Sequence, residues 1–167
     1  MRNSIRFAAA GAALAAALSF GSAANAATTQ SASASVEILS TLNVAKVADL
    51  NFGQIAANGA GTLAIAGDGT TTCAAALVCT GTRAPASFSV AGTAGTAVTA
   101  AVTTPSITLS DGAGHTMTVN AFDVYFPTGS TLVGGATTFD VGGTLAVGAA
   151  QVAGNYTGSF SVSVEYQ

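Results

Sequence analysis

The sequence predicts an all-β sandwich, and three observations carry that prediction. Beyond residue 26 the apolar residues no longer recur at helical spacing. Short apolar or alternating runs are instead punctuated by Gly, Ser, Thr, Asp and Pro. The chain then closes on strict period-two alternation. Phe160, Val162, Val164 and Tyr166 share one face of an extended strand, and Ser159, Ser161, Ser163 and Glu165 share the other. Such a strand needs an apolar partner for one face only.

The first residues are set apart by composition. Arg2 and Arg6 give a positive start, Phe7 to Leu18 is almost unbroken apolar sequence, and Ala24-Asn25-Ala26 is a small-x-small cleavage pattern. Residues 1–26 therefore read as a secretory signal peptide, too short in its apolar run to span a bilayer, which takes about 20 such residues. The expectation is an exported chain of one domain, with residues 27–38 as an N-terminal extension and 39–167 as the sandwich.

Strand candidates follow in order: residues 35–43, 49–55, 61–66, 86–91, 96–103, 106–109, 116–126, 138–141, 143–147 and 154–166. Asp68-Gly69, Asp111-Gly112 and Gly134-Gly135 read as turns, where glycine supplies positive φ at little steric cost. Pro105 and Pro127 belong at strand ends or edges. Residues 67–85 read as the longest irregular stretch. Phe52, Phe88, Phe122, Tyr125, Phe126, Phe139, Tyr156 and Phe160 are spread along the chain as core anchors, which separates this Ala/Gly/Thr-rich sequence from a disordered one.

Charge excludes several functions. Past residue 26 there are two cations, Lys46 and Arg83, against seven acids, a net charge of −5. No basic patch can be built, so nucleic acid is not a partner. Such a bland surface suits packing against copies of itself, or exposure outside a cell. Cys73 and Cys79 are the only cysteines, and an even count in an exported chain reads as a disulfide, here a short local staple.

Chemistry-bearing patterns are missing. One histidine, His115, lies in a glycine-rich turn and reads as a solvated turn residue rather than a general base. There is no nucleophile elbow, zinc motif or phosphate loop. Asp68 and Asp111 lie in turns with oxygen ligands nearby, but no calcium-loop spacing surrounds them. The expectation is no catalysis, no metal and no small-molecule cofactor.

The last fourteen residues carry a resemblance. Gly154 stands fourteenth from the end and Tyr166 second, with alternating apolar residues between them. This resembles the C-terminal signature of chaperone–usher pilins. The stretch Val47-Ala48-Asp49-Leu50-Asn51-Phe52-Gly53-Gln54-Ile55, with Gly142-Gly143-Thr144-Leu145 and the Gly154-Asn155-Tyr156 ending, resembles the DUF4402 family of small secreted proteins of Gram-negative bacteria. It is similar in outline to spore-coat-U-type pilins of the archaic chaperone–usher class. The short cysteine ring departs from the disulfide that pilins usually carry.

The resemblance implies an immunoglobulin-like, pilin-type β-sandwich, either complete or lacking a strand. It implies that Gly154, Phe160, Val162, Val164 and Tyr166 are gripped by a periplasmic chaperone and then border a groove filled by a neighbouring subunit. Ala32, Ala34, Val36 and Ile38 share one face of the extension and are the candidate donor strand, added edge-on to another subunit. Chaperone–pilin complexes are an established case of such strand addition. The bland alternative is a disordered tail followed by the domain's own first strand, and Val36 and Ile38 belong to either.

Two functions remain. One is a structural subunit of a surface fimbria, polymerised by donor-strand exchange with copies of itself or related subunits through a periplasmic chaperone and an outer-membrane usher. It would pass through the periplasm to the cell surface. The other is a self-complete secreted monomer acting as an adhesion or ligand-binding module through loops such as 67–85 or 126–136, where Tyr125, Phe126 and Pro127 lie.

Overall fold

The computed structural model describes residues 28–167, and eleven strands form within them. They are β1 (Asn43–Ala48), β2 (Gln54–Ala57), β3 (Gly61–Ile65), β4 (Thr71–Cys73), β5 (Leu77–Thr80), β6 (Ala86–Ala91), β7 (Val98–Val102), β8 (Ser106–Ser110), β9 (Thr116–Tyr125), β10 (Ala136–Val147) and β11 (Val162–Tyr166). No helix occurs among the described residues. The chain divides into two compact units. Glu37–Gln167 holds every strand. Of Met1–Val36, residues 28–36 are described, and these are exposed and form no strand. The expected signal peptide, residues 1–26, lies outside the described residues.

β10 organises the larger layer. Asp140 pairs with Ser87 of β6 on one edge and Tyr125 of β9 on the other, and Thr144 pairs with Ala64 of β3 and Asn120 of β9. β6 and β3 therefore share one edge of β10, and β9 takes the other. β1 extends the sheet beyond β6, β4 beyond β3 and β8 beyond β9, giving a seven-stranded antiparallel layer. Residues Thr137, Phe139, Val141, Leu145 and Val147 alternate along β10 and are all buried, as a strand packed on one face requires.

The opposite layer consists of two separate ribbons, β2 with β5 and β7 with β11. Each covers half of the large sheet. Phe88, Val90, Phe139 and Val141 pack with Val98 and with Phe160, Val162, Val164 and Tyr166. Val119, Leu145 and Val147 pack with Leu77, Phe52, Ile55 and Cys79. Fully burying one such aliphatic or aromatic side chain is worth about 1.5–3 kcal/mol. Phe88 stacks on Phe139 with ring centroids 5.1 Å apart and meets Phe160 edge-on at 6.2 Å. The all-β architecture is therefore as expected, and it is compatible with an immunoglobulin-like sandwich.

Several strand boundaries differ from expectation. Residues 35–42 form no strand, and the first begins at Asn43. The stretch 67–85, expected to be irregular, contains β4 and β5. Their Thr-rich and Val-containing segments flank an Ala turn, and composition hid two strands. The expected strands 138–141 and 143–147 are one strand. Gly142-Gly143 sits in the middle of β10, where β9 bulges opposite it, and Ala121 within that bulge has φ of 48°. In the stretch 154–166 only Val162–Tyr166 is regular.

The glycines of β10 are there for close approach rather than for a turn. A Cβ added to Gly142 would fall onto the Ile65 carbonyl oxygen and lie 2.7 Å from the Gly67 amide nitrogen. Backbone cannot swing aside as a flexible side chain can. Gly142→Ala is predicted to lower unfolding free energy by about 3 kcal/mol, the upper end of overpacking costs, in chemical denaturation. An unchanged midpoint would show that β3 and β10 approach less closely.

Candidate functional site

A single chain segment crosses between the layers and builds one side of the site. Asn43 pairs with Ala91, Lys46 with Phe88, Asn51 with Ala84, Gln54 with Thr80 and Ala57 with Leu77. Residues 43–57 and 77–91 thus form one long antiparallel pairing that bends between the sheets. The bend falls at residues 49–53. Leu50 packs into both core clusters there, and the Asn51 side-chain oxygen accepts the Gly53 amide at 2.8 Å. Gly53 has φ of +72°, and a Cβ on it would meet the Thr80 carbonyl oxygen at 2.6 Å. Only glycine fits that corner without strain.

The second side is residues 151–160, the irregular approach to β11. Thr157 exchanges both backbone hydrogen bonds with Ser110 at 2.9 and 3.0 Å. Gln151 Nε2 donates to the Tyr156 hydroxyl at 2.8 Å, and that hydroxyl donates to the Val152 carbonyl at 2.7 Å. Phe160 fixes the far end, lying between Phe88 and Phe122. Gly158 allows the segment to lie against β8, because a Cβ would meet the Thr108 carbonyl oxygen at 2.6 Å.

Between these walls, residues 49–57 and 151–160, runs an open groove of about 1180 Å³. Its floor is apolar and comes from the large sheet: Phe88, Ile107, Met117, Val119, Leu145 and Val147. β2 is paired with β5 on one edge, and among the described residues no strand pairs with its other edge. Successive antiparallel pairings from β1 through β6, β10, β9 and β8 to Thr157 make the two walls run in opposite senses. A strand laid in the groove would be antiparallel to one wall and parallel to the other.

The cysteines hold the first wall. Cys73 on β4 and Cys79 on β5 form a disulfide, with Cα atoms 6.4 Å apart. β4 belongs to the large sheet and β5 to the ribbon carrying β2, so the bond ties one layer to the other. Cys79 pairs directly with Ile55, a groove residue.

The sequence-predicted residues are divided by the structure. Gly154 and Phe160 line the groove. Val162, Val164 and Tyr166 pack instead on the core beneath the β7–β11 ribbon. In the extension, Val36 and Ile38 are 86% and 88% exposed, and Ala32 and Ala34 are exposed as well. Sequence reasoning did not assign residues 49–57 to a wall. The one legible signal was Phe52-Gly53, an anchor followed by a residue free to bend. Tyr125 is exposed, whereas Phe126 packs on Phe139 at 5.5 Å.

The ionisable groups form turns rather than a reactive set. Asp111 Oδ1 accepts the Ala113 and His115 amides at 2.8 and 3.0 Å, and His115 Nδ1 lies 2.6 Å from Asp111 Oδ2. Burial works to raise the Asp111 carboxyl, but these hydrogen bonds outweigh it and hold the group below its ordinary 3.8. Asp68 is likewise lowered, chiefly by the Thr70 amide it accepts at 2.8 Å. Among the described residues no cluster of three His, Cys, Asp or Glu could hold a metal.

An all-β chain whose second layer is split by an apolar groove is the class of protein defined so far. A family model described as a domain of unknown function, DUF4402, matches residues 42–166, and the chain belongs to that family. No curated protein and no solved structure matches it.

Two predictions follow from the geometry. Replacing both cysteines by serine should cost about 2 kcal/mol, the chain-entropy value for so short a ring, read as a lower denaturation midpoint. An unchanged midpoint would mean that the bond does not constrain the wall. Both depressed aspartates bind protons more weakly in the folded than in the unfolded chain. Their contribution to stability is therefore complete above about pH 5 and is lost as pH falls through 3.8 towards their folded values. Thermal melts at stepped pH should show that loss, and it should shrink in Asp111→Asn.

Proposed function

We propose that this protein is an exported structural subunit of a surface fimbria, polymerised by donor-strand exchange and without catalytic activity. The single observation that carries the reading is the groove, apolar along its floor and bordered by the unpaired edge of β2. A strand-shaped vacancy of this kind combines apolar burial with backbone hydrogen bonding, and an added strand supplies both. The free edge of β2 also creates a need for protection before assembly, the task of a periplasmic chaperone acting with an outer-membrane usher.

The occupant in this reading is the extension of another copy or of a related subunit. Residues 28–39, fully extended, reach about 40 Å, and a groove wall of nine residues spans about 30 Å. Val36 and Ile38 leave the larger side chains of the extension uncovered on one face, with Ala34 and Ala32 beyond them. Their exposure supports assigning them to the donor rather than to a core strand. The segment contains no cation and only one acid, Glu37, on the face opposite Val36 and Ile38, so its insertion would bury no charge.

The test is a denaturing gel of surface-extracted protein, unheated and boiled, for the wild type and for Val36→Asp with Ile38→Asp. The wild type should give a ladder of multiples that collapses to one band on boiling. The double variant should give monomer only, with a melting temperature for the isolated domain that is unchanged, because both side chains are exposed. A wild-type sample that runs as one band under both conditions would sink the reading in favour of a self-complete secreted module.

A further inference from the structure

The penultimate residue of the chain takes part in a contact that the groove does not explain. Tyr166 lies at the end of β11, away from the groove, and its ring packs on the core. Its hydroxyl accepts the Thr93 amide at 2.8 Å and donates to the Ser40 carbonyl at 2.8 Å. The Ser40 amide in turn donates to Thr93 Oγ1 at 2.8 Å, and the two hydroxyls are 3.0 Å apart. Three distant parts of the chain are thus tied at one point: the lead-in to β1, the β6–β7 connection and the end of the last strand.

The space for this knot is built. A Cβ on Gly92 would strike the Tyr166 hydroxyl and would also meet Leu42 Cδ2 at 2.8 Å and Leu132 Cδ1 at 3.0 Å. The backbone at Gly92 therefore forms the seat for the hydroxyl, while its amide is held by the Gly135 carbonyl at 2.9 Å. Before the knot the chain is bare, with Ile38 and Val36 exposed. After it Leu42 packs on the core and β1 begins. The boundary between segment and domain is this set of hydrogen bonds.

We propose that Tyr166, Thr93 and Ser40 form a lock that fixes where the N-terminal segment leaves the domain, so that residues up to Leu39 are free for a neighbouring copy and Ser40 onward are not. This rests on the donor-strand reading. Tyr166 is then a positioning residue: it touches neither the groove nor its occupant, and it acts by anchoring the base of the donor. The strand that ends in the lock also continues from the groove wall at residues 151–160. One chain segment therefore borders the acceptor site and secures the donor of the same subunit. A donor anchored at a fixed point loses less freedom on insertion than one whose base can fray.

The experiment compares full-length mature wild type with Tyr166→Phe, which keeps the ring and removes only the hydroxyl. Hydrogen exchange should show the Ser40 and Thr93 amides exchanging about fivefold to tenfold faster in the variant, the scale of one or two lost hydrogen bonds, with β6 and β10 unchanged. With Val36→Asp and Ile38→Asp added to each so that the groove stays open, a synthetic wild-type peptide of residues 28–39 should bind both proteins equally, since the groove is untouched. The yield of heat-sensitive multimers should fall about as much as the lock loosens. Equal exchange at Ser40 and Thr93 in the two proteins would overturn the lock itself. Faster exchange with undiminished assembly would overturn its positioning role. Loss of peptide binding in the variant would also overturn that role, by placing Tyr166 in the acceptor. Failure of the peptide to bind the open-groove protein that keeps Tyr166, with the lock amides protected, would reject the donor-strand reading and the lock's purpose with it. Thr93→Val, which keeps the β-branched shape, should reproduce the assembly defect.

Discussion

A strand inside a sandwich has to satisfy its backbone groups on both edges, and β2 does so on one. That imbalance governs the molecule. β10, at the centre of the large sheet, is paired along both edges and buries every second side chain. Opposite it, the layer stops between β2 and residues 151–160, and the apolar floor formed by Phe88, Val119, Leu145 and Val147 meets an open groove. A buried peptide group left without a partner costs about 1–3 kcal/mol, so a groove of this kind stays open to water until something strand-like fills it. The missing hydrogen bonds of β2 and the apolar lining of the groove call for the same occupant.

Local devices keep the gap from closing. The Gly53 corner and the Asn51 turn redirect the long 43–57 strand from one sheet to the other, which carries its second half onto the wall. The Cys73–Cys79 bond then ties that wall to the large sheet through β4. On the other side, Phe160 is held between Phe88 and Phe122, and Gly158 lets the segment press against β8. Both walls are thereby fixed to the rest of the sandwich by covalent, aromatic and glycine contacts.

Much of this was legible in the chain, for reasons that can be named. Alternation along β6 and β11 has period two and one apolar face, and so does β9 on either side of its bulge, so these strands could be read directly. The disulfide followed from an isolated cysteine pair. β4 and β5 were not legible, because three-residue and four-residue strands in an Ala/Thr-rich stretch have too few alternations to register, and their order comes from tertiary pairing with β3 and β2. The strand read as broken at Gly142, since glycine usually interrupts a strand, whereas here close backbone approach demands it. The apolar side chains Val36 and Ile38 read equally as core or as extension. They are exposed and precede the hydrogen bonds of Ser40, which no local pattern announces. A groove was expected only from the family resemblance, because a gap between two ribbons is a property of topology, not of any one segment.

The most direct test of this account is amide exchange along β2, residues 54–57, in the isolated domain and after adding the peptide of residues 28–39. Fast exchange is expected at the groove-facing amides of β2 in the free domain. Exchange should slow by more than about tenfold once the peptide lies beside them, as when solvent-facing groups enter a strand ladder. Amides that are already protected in the free monomer, and unaffected by the peptide, would show that the second layer is closed and would contradict the claim that a strand is missing from it.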